Sequence, residues 1–250
     1  MLPHYGDKYD AEALYDPEEA VIPGEDGLPD VPPAVVLGFQ ETLTEVVRDR
    51  SEPIDPDPAR ELEYYRLGDS VAFCPVVKIG VGAPVAAVAT EKAIASGAET
   101  VVMLGGAAAF QTDVDPETVL LPTRAVRDEG VSYHYLPSEE TVRATPNLVD
   151  ELERAFADAG CRTRRGPTWT TSALFRETLP EIEYYREQGF VSLCMESAAI
   201  WAVCQYRGVG AATVHHADDY LSADEWIDPD SADLVDRIDP TVRALERHVG

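Results

Sequence analysis

Residues 71–106, VAFCPVVKIGVGAPVAAVATEKAIASGAETVVMLGG, decide the fold. The apolar run 71–77 has β character. KIGVGAP (78–84) is a glycine turn, 85–96 is an alanine-rich helix stopped by Gly97, and 99–104 is a second buried strand. Gly105 and Gly106 follow that strand directly. Strand, glycine loop, helix, strand is the order of a mostly parallel sheet with helices on its faces.

The alternation continues in both directions. Upstream, 34–38 is a short buried strand, 39–50 carries Leu43, Val46 and Val47 at helical spacing, and 51–59 holds three prolines and reads as a loop. Downstream, 119–121, 191–195 and 210–216 read as strands. Segments 147–159, 181–188, 196–206 and 233–249 read as helices, with Pro240 marking a turn or kink in the last. The expectation is an α/β fold of three layers, α/β/α, around a mixed, mostly parallel central sheet. The length suits one large domain over 34–250. Residues 1–33, rich in Pro, Gly, Asp and Glu, read as an extended N-terminal arm.

Charge narrows the partners. The chain holds 46 acidic and 20 basic residues, for a net charge of -26. Such a surface repels a phosphate backbone, so nucleic acid is excluded as a partner. The acid is diffuse and lysine is confined to Lys8, Lys78 and Lys92, a pattern that suggests adaptation to high salt, where screening removes self-repulsion. No apolar stretch is long and charge-free enough to span a bilayer. The polar N-terminus MLPHYGDKYD shows no signal peptide, and Cys74, Cys161, Cys194 and Cys204 show no metal or C-x-x-C spacing. Reduced thiols and a cytoplasmic location are the expectation, with no metal and no cofactor.

Four strand ends are candidates for chemistry, because ligands of parallel α/β sheets bind at the carboxyl ends of strands. Gly80-Val-Gly-Ala-Pro84 and Gly105-Gly106 could bring backbone N–H groups close to an anion, although a glycine after a strand is more often only a turn. Met195-Glu196-Ser197 places a carboxylate directly after an apolar run. It either accepts hydrogen bonds from two sugar hydroxyls or merely sits on a helix N-terminus. In His215-His216-Ala217-Asp218-Asp219, adjacent histidines on a strand face opposite ways, which argues against one shared metal, and Asp218 is the candidate general acid.

Taken in order, from about His4 to Tyr220, these segments resemble the nucleoside phosphorylases of the purine and uridine phosphorylase type. Met1-Leu-Pro-His4-Tyr resembles the family's N-terminal histidine arm. Gly80-Val-Gly-Ala-Pro84 resembles its glycine loop, and Ala125-Val-Arg-Asp-Glu-Gly-Val-Ser132 its R-D-E-G-x-S segment. Thr170-Thr-Ser-Ala-Leu-Phe-Arg-Glu177 resembles a T-T-D-x-F-Y-R-E segment near the base, and Cys194-Met-Glu-Ser-Ala198 the E-M-E-S/A-A signature. The resemblance implies cleavage of the N-glycosidic bond of a nucleoside, with inorganic phosphate as co-substrate. It implies that Met195 packs under the ribose, that Glu196 binds the ribose hydroxyls and stabilises the oxocarbenium ion, and that Asp218 protonates the leaving base. Gly106, Phe175, Arg176 and a neighbouring subunit's His4 would complete the substrate site. Gly38, Arg60, Gly80 and Gly105 would hold phosphate. A homodimer or homohexamer follows from the same resemblance.

The chain departs from the family where phosphate binds. Met103 and Thr42 stand in the places of two arginines, and Cys194, Ser172 and Leu174 replace an acid, an aspartate and an aromatic. Two lost charged clamps, each typically worth ~1.5–3 kcal/mol, weaken phosphate binding. A nucleoside hydrolase using water and a non-catalytic nucleoside-binding protein therefore stand as alternatives.

Overall fold

The sheet begins with Ala34–Gly38 (β1), buried at every position, because a strand flanked by neighbours on both edges and helices on both faces has no wet side. The computed structural model describes residues 8–19, 27–55, 61–110, 114–221, 226–227 and 234–250. Glu41–Arg50 (α1) follows, and its apolar stripe of Leu43 and Val47 turns inward. Tyr65–Arg66 (β2) is a short edge strand, and Val71–Pro75 (β3) pairs in parallel with β1. Ala83–Ala95 (α2) starts just after Gly82 and packs on the sheet through small alanines.

Thr100–Ala109 (β4) extends five residues beyond the anticipated end at 104 and runs straight through Gly105 and Gly106. Those glycines are thus strand residues in register with His215 and His216, and the expected glycine loop after the second strand does not form there. Val119–Asp128 (β5), Val142–Arg143 (β6), Pro146–Asp158 (α3) and Thr163–Thr171 (β7) come next. No local pattern marked β7, TRRGPTWTT, because its polar residues, Gly166 and Pro167 mask the alternation. Its Thr168, Thr170 and Thr171 are buried, and the first two belong to the polar interior described below. Leu179–Glu187 (α4), Ser192–Cys194 (β8), Ser197–Arg207 (α5), Gly210–Leu221 (β9), Trp226–Ile227 (β10) and Ile238–Val249 (α6) complete the order. The last helix begins later than expected, after a 3-10 turn over Leu234–Arg237.

The ten strands among the described residues form one mixed sheet, ordered β10-β9-β5-β7-β8-β4-β1-β3-β2, with β6 on β5. Its long ladders are parallel, and its antiparallel pairings span one or two rungs. Because β4 pairs with both β8 and β9, the strands β4, β9, β5, β7 and β8 close into a ring. Helix α2 packs on α5, and α3 on α6, covering the sheet from both sides. Cys74, Cys194 and Cys204 are buried free thiols, and Cys161 is half-buried. No helix among the described residues is long and apolar enough to cross a membrane.

Candidate active site

The carboxyl-terminal parts of β4, β8 and β9 enclose a cavity of about 260 Å³. Its walls include Phe39 and Gln40 after β1, Val81 before α2, and Gly106–Ala108 of β4. Leu193 to Glu196, Asp218, Asp219, Leu174 and Glu177 complete it. A larger cavity, about 1020 Å³, lies between residues 8–19 and Tyr135, Tyr206 and Arg207, and shares none of these residues.

Glu196 is held in the floor. It occupies the cap position before α5, but its carboxylate does not cap its own helix. Oε1 instead accepts the Gly82 amide at 2.7 Å, and Oε2 accepts the Met195 amide at 3.0 Å. Gly82 has φ +95° and is the cap residue of α2, so Glu196 sits on the positive end of that helix. Burial outweighs these favourable hydrogen bonds and raises its pKa to about 7, with the nearby Cys194 thiol adding to the rise.

Behind Glu196 lies a buried polar network. His215, fully buried, contacts Ser192 Oγ through Nδ1 at 3.0 Å and Ser197 Oγ through Nε2 at 3.4 Å. Ser192 donates its hydroxyl to Thr168, so Nδ1 of His215 carries the proton and Nε2 accepts. The Cys194 thiol donates to Ser197 Oγ at 3.2 Å, and Thr170 receives the Ala198 amide at 3.1 Å. Burial lowers the His215 pKa to about 4, which keeps the imidazole neutral. Met103 is also interior, with its sulfur 3.7 Å from Ser197 Oγ.

Asp218 and Asp219 are neighbours on a strand, yet both line the cavity. A bulge explains this. Ala107 pairs with Ala217 and Ala108 with Asp219, leaving Asp218 as the extra residue, so the side-chain alternation slips by one. Asp218 Oδ2 accepts the Gln40 amide, and both atoms lie against the α-carbon of Gly106. A Cβ there would stand 1.6 Å from Asp218 Oδ2 and 2.4 Å from Gln40 Nε2, so glycine is required for this close approach.

The segment after β7 contributes differently from its sequence reading. Leu174–Arg176 is a 3-10 turn, in which residues three apart share a face. Leu174 and Glu177 therefore line the cavity, whereas Phe175 is 95 % exposed and Arg176 points to solvent. Within this chain, Phe175 and Arg176, expected at the substrate site, face outward and do not line this cavity. Glu177 was passed over in the sequence, since an acid beside an arginine in a polar stretch reads as surface. Its Oε1 is buried and has no hydrogen-bond partner among the described residues. Burial, aided by Asp219, raises its pKa to about 7.

Of the remaining candidates, Met195, Glu196, Gly106 and Asp218 meet at the cavity. Gly38, Gly80 and Gly105 do not line it: the α-carbon of Gly38 packs on the Phe73 ring, and Gly105 faces Phe39. His4 and Arg60 lie outside the described residues. Among the described residues, no lysine or arginine lines the cavity, and no group of His, Cys, Asp or Glu could hold a metal ion.

The site and fold have relatives. The family model of the phosphorylase superfamily matches residues 33–245. The guanosine phosphorylase of Halorubrum lacusprofundi is 26 % identical over 166 residues, which cover 66 % of this chain and 68 % of that protein. The uridine phosphorylase of Salmonella typhimurium is 25 % identical over 198 residues, 72 % of this chain and 77 % of the relative. The crystal structure of uridine phosphorylase from Vibrio fischeri superposes with a TM-score of 0.70 at 21 % identity, over 88 % of this chain and 93 % of that one. The match over residues 33–245 places the chain in a family: it belongs to the phosphorylase superfamily.

Proposed function

We propose that this protein is a pentosyltransferase of the nucleoside phosphorylase type, cleaving the N-glycosidic bond of a nucleoside with phosphate to give the free base and ribose 1-phosphate. The observation that carries this reading is the Glu196 carboxylate, fixed by the Gly82 and Met195 amides in the floor of a cavity at the strand ends. The relatives named above act on uridine or guanosine by their names.

Glycosidic cleavage builds positive charge on the sugar and negative charge on the base. In this reading Met195 and Glu196 take the ribose, and Glu196 stabilises the positive C1′ as the bond breaks. The leaving base is met by carboxyl groups of β9, with Asp218 the candidate derived from sequence. Gly38, Gly80, Gly105 and Arg60 remain candidates for holding phosphate, and His4 belongs to the ribose site of a neighbouring copy in a homodimer or homohexamer. The acidic surface adapts the protein to high salt, and its compartment is the cytoplasm.

Hydrolysis is the second reading, favoured by one observation: Glu177, Glu196, Asp218 and Asp219 line the cavity without a cation among the described residues. Four carboxyl groups oppose a phosphate dianion but not a water molecule. Purified protein incubated in high salt with a panel of nucleosides, with and without phosphate, decides the matter by chromatography of the free base. Phosphorolysis predicts base release that requires phosphate. Equal release without it establishes the hydrolase, and no release from any nucleoside leaves a binding protein.

A further inference from the structure

The cavity holds a carboxyl group that none of the roles above uses. Glu177 projects from the junction between the 3-10 turn Leu174–Arg176 and α4, opposite β9. Its backbone is fixed on the far side by a capping box, in which Thr178 and Glu181 exchange hydrogen bonds at the start of α4. Leu174, one turn before it, lines the same cavity. The buried Oε1 meets no donor among the described residues, while Asp219 lies close enough to act on it electrostatically.

A buried carboxylate oxygen without a donor, next to another acid, is costly in its ionised form, and the stable arrangement keeps a proton on it. The groups facing Glu177 across the cavity strengthen this outcome. Asp218 and Asp219 on β9 and Glu196 before α5 are all acids, Arg176 of the same turn is exposed, and no lining residue among those described is cationic. Asp218 is engaged otherwise, as the acceptor of the Gln40 amide.

We propose that Glu177, with Asp219 beside it, is the general acid that protonates the departing nucleobase. This rests on the nucleoside-cleaving function proposed above and assigns the donation to Glu177 rather than to Asp218. As the C1′–N bond breaks, its electron pair moves onto the base. The Glu177 proton passes to a ring nitrogen or carbonyl oxygen of that base, leaving Glu177 as carboxylate. The phosphate oxygen forms the new bond to C1′, and the proton released by the resulting phosphate ester returns Glu177 to its starting state through solvent. In hydrolysis the attacking water supplies that proton.

The test combines Glu177→Gln, which keeps shape but cannot transfer a proton, with Asp219→Asn, which removes the neighbouring charge. In the infrared spectrum of the free wild type at pH 6, Glu177 and Glu196 both contribute protonated-carboxyl absorption, and the Glu177 part of it is lost in Glu177→Gln. With a nucleoside the wild type cleaves, kcat should fall above pH about 7, where Glu177 ionises. Glu177→Gln should lower kcat ~100-fold or more with a flat alkaline limb, the usual scale for a lost general acid. Asp219→Asn should move that limb to lower pH, a shift that a merely structural role would not produce. The acid role is overturned if Glu177→Gln leaves an active enzyme at full speed with its pH limb intact, or if the variant's protonated-carboxyl absorption equals that of the wild type. A wild type that releases no base while still showing the Glu177 absorption overturns the nucleoside-cleaving function, and the acid role falls with it.

Discussion

The Glu196 carboxylate accepts the Gly82 amide at 2.7 Å, joining the residue before α5 to the residue before α2. One contact thereby fixes a buried acid and ties two packed helices at the end that opens on the cavity. Both consequences can be measured.

Glu196→Gln should reduce kcat by ~100-fold or more, the scale of removing one preorganised charge-stabilising group. Its effect on stability should depend on pH. The folded-state pKa is raised to about 7 from the ordinary 4.5, so the folded protein binds more protons than the unfolded chain between those values. The group's contribution to stability is thus present below about pH 4.5 and declines as pH rises to 7. Denaturant unfolding at pH 5 and pH 8 should show the variant gaining on the wild type by on the order of 1–3 kcal/mol across that interval. A pH-independent difference would refute the burial of an ionisable Glu196.

Gly106→Ala and Gly38→Ala test two close approaches of different kinds. At Gly106 the added methyl meets the ends of two flexible side chains, Asp218 and Gln40. The fold should survive within ~1 kcal/mol while activity falls tenfold or more, since Asp218 is pushed from its place. At Gly38 the methyl would stand 2.2 Å from the buried Phe73 ring, which has nowhere to go. That variant should lose ~1–3 kcal/mol by overpacking. Thermal unfolding, measured on both, should show Gly38→Ala falling further than Gly106→Ala.

Met103→Arg introduces the residue type that the sequence resemblance implies for this place, but it should not create a phosphate clamp. Met103 is buried against Ser197, so an arginine there places an unpaired charge in the core. We expect a loss of ~3 kcal/mol or more in unfolding free energy and no fall in KM for phosphate. A stable variant with tighter phosphate binding would contradict the interior position of residue 103.

The surface charge predicts a salt response. With a net charge of -26, screening should raise the unfolding midpoint steadily from 0.1 M to above 1 M KCl, where the Debye length falls from ~10 to ~3 Å. A midpoint that is flat over this range would mean that self-repulsion does not limit stability.

Local pattern made much of the fold legible. The apolar runs that became β1, β3, β8 and β9 and the helices ended by glycine could be placed because burial on both faces leaves an unbroken apolar signature. Glu196 stood out for the same reason, as a charge at the end of such a run. Strand β7 did not, because its interior face is threonine, whose partners are strands distant in sequence. Only the tertiary structure closed the ring through β4, β8 and β9 and carried β4 through its two glycines. Only the tertiary structure introduced the bulge that turns Asp218 and Asp219 to one side, and the 3-10 turn that selects Leu174 and Glu177 over Phe175 and Arg176. Chain composition and spacing determine which segments must be buried. Which acid faces the cavity is decided by a register slip of one residue, and that slip depends on how distant strands pair.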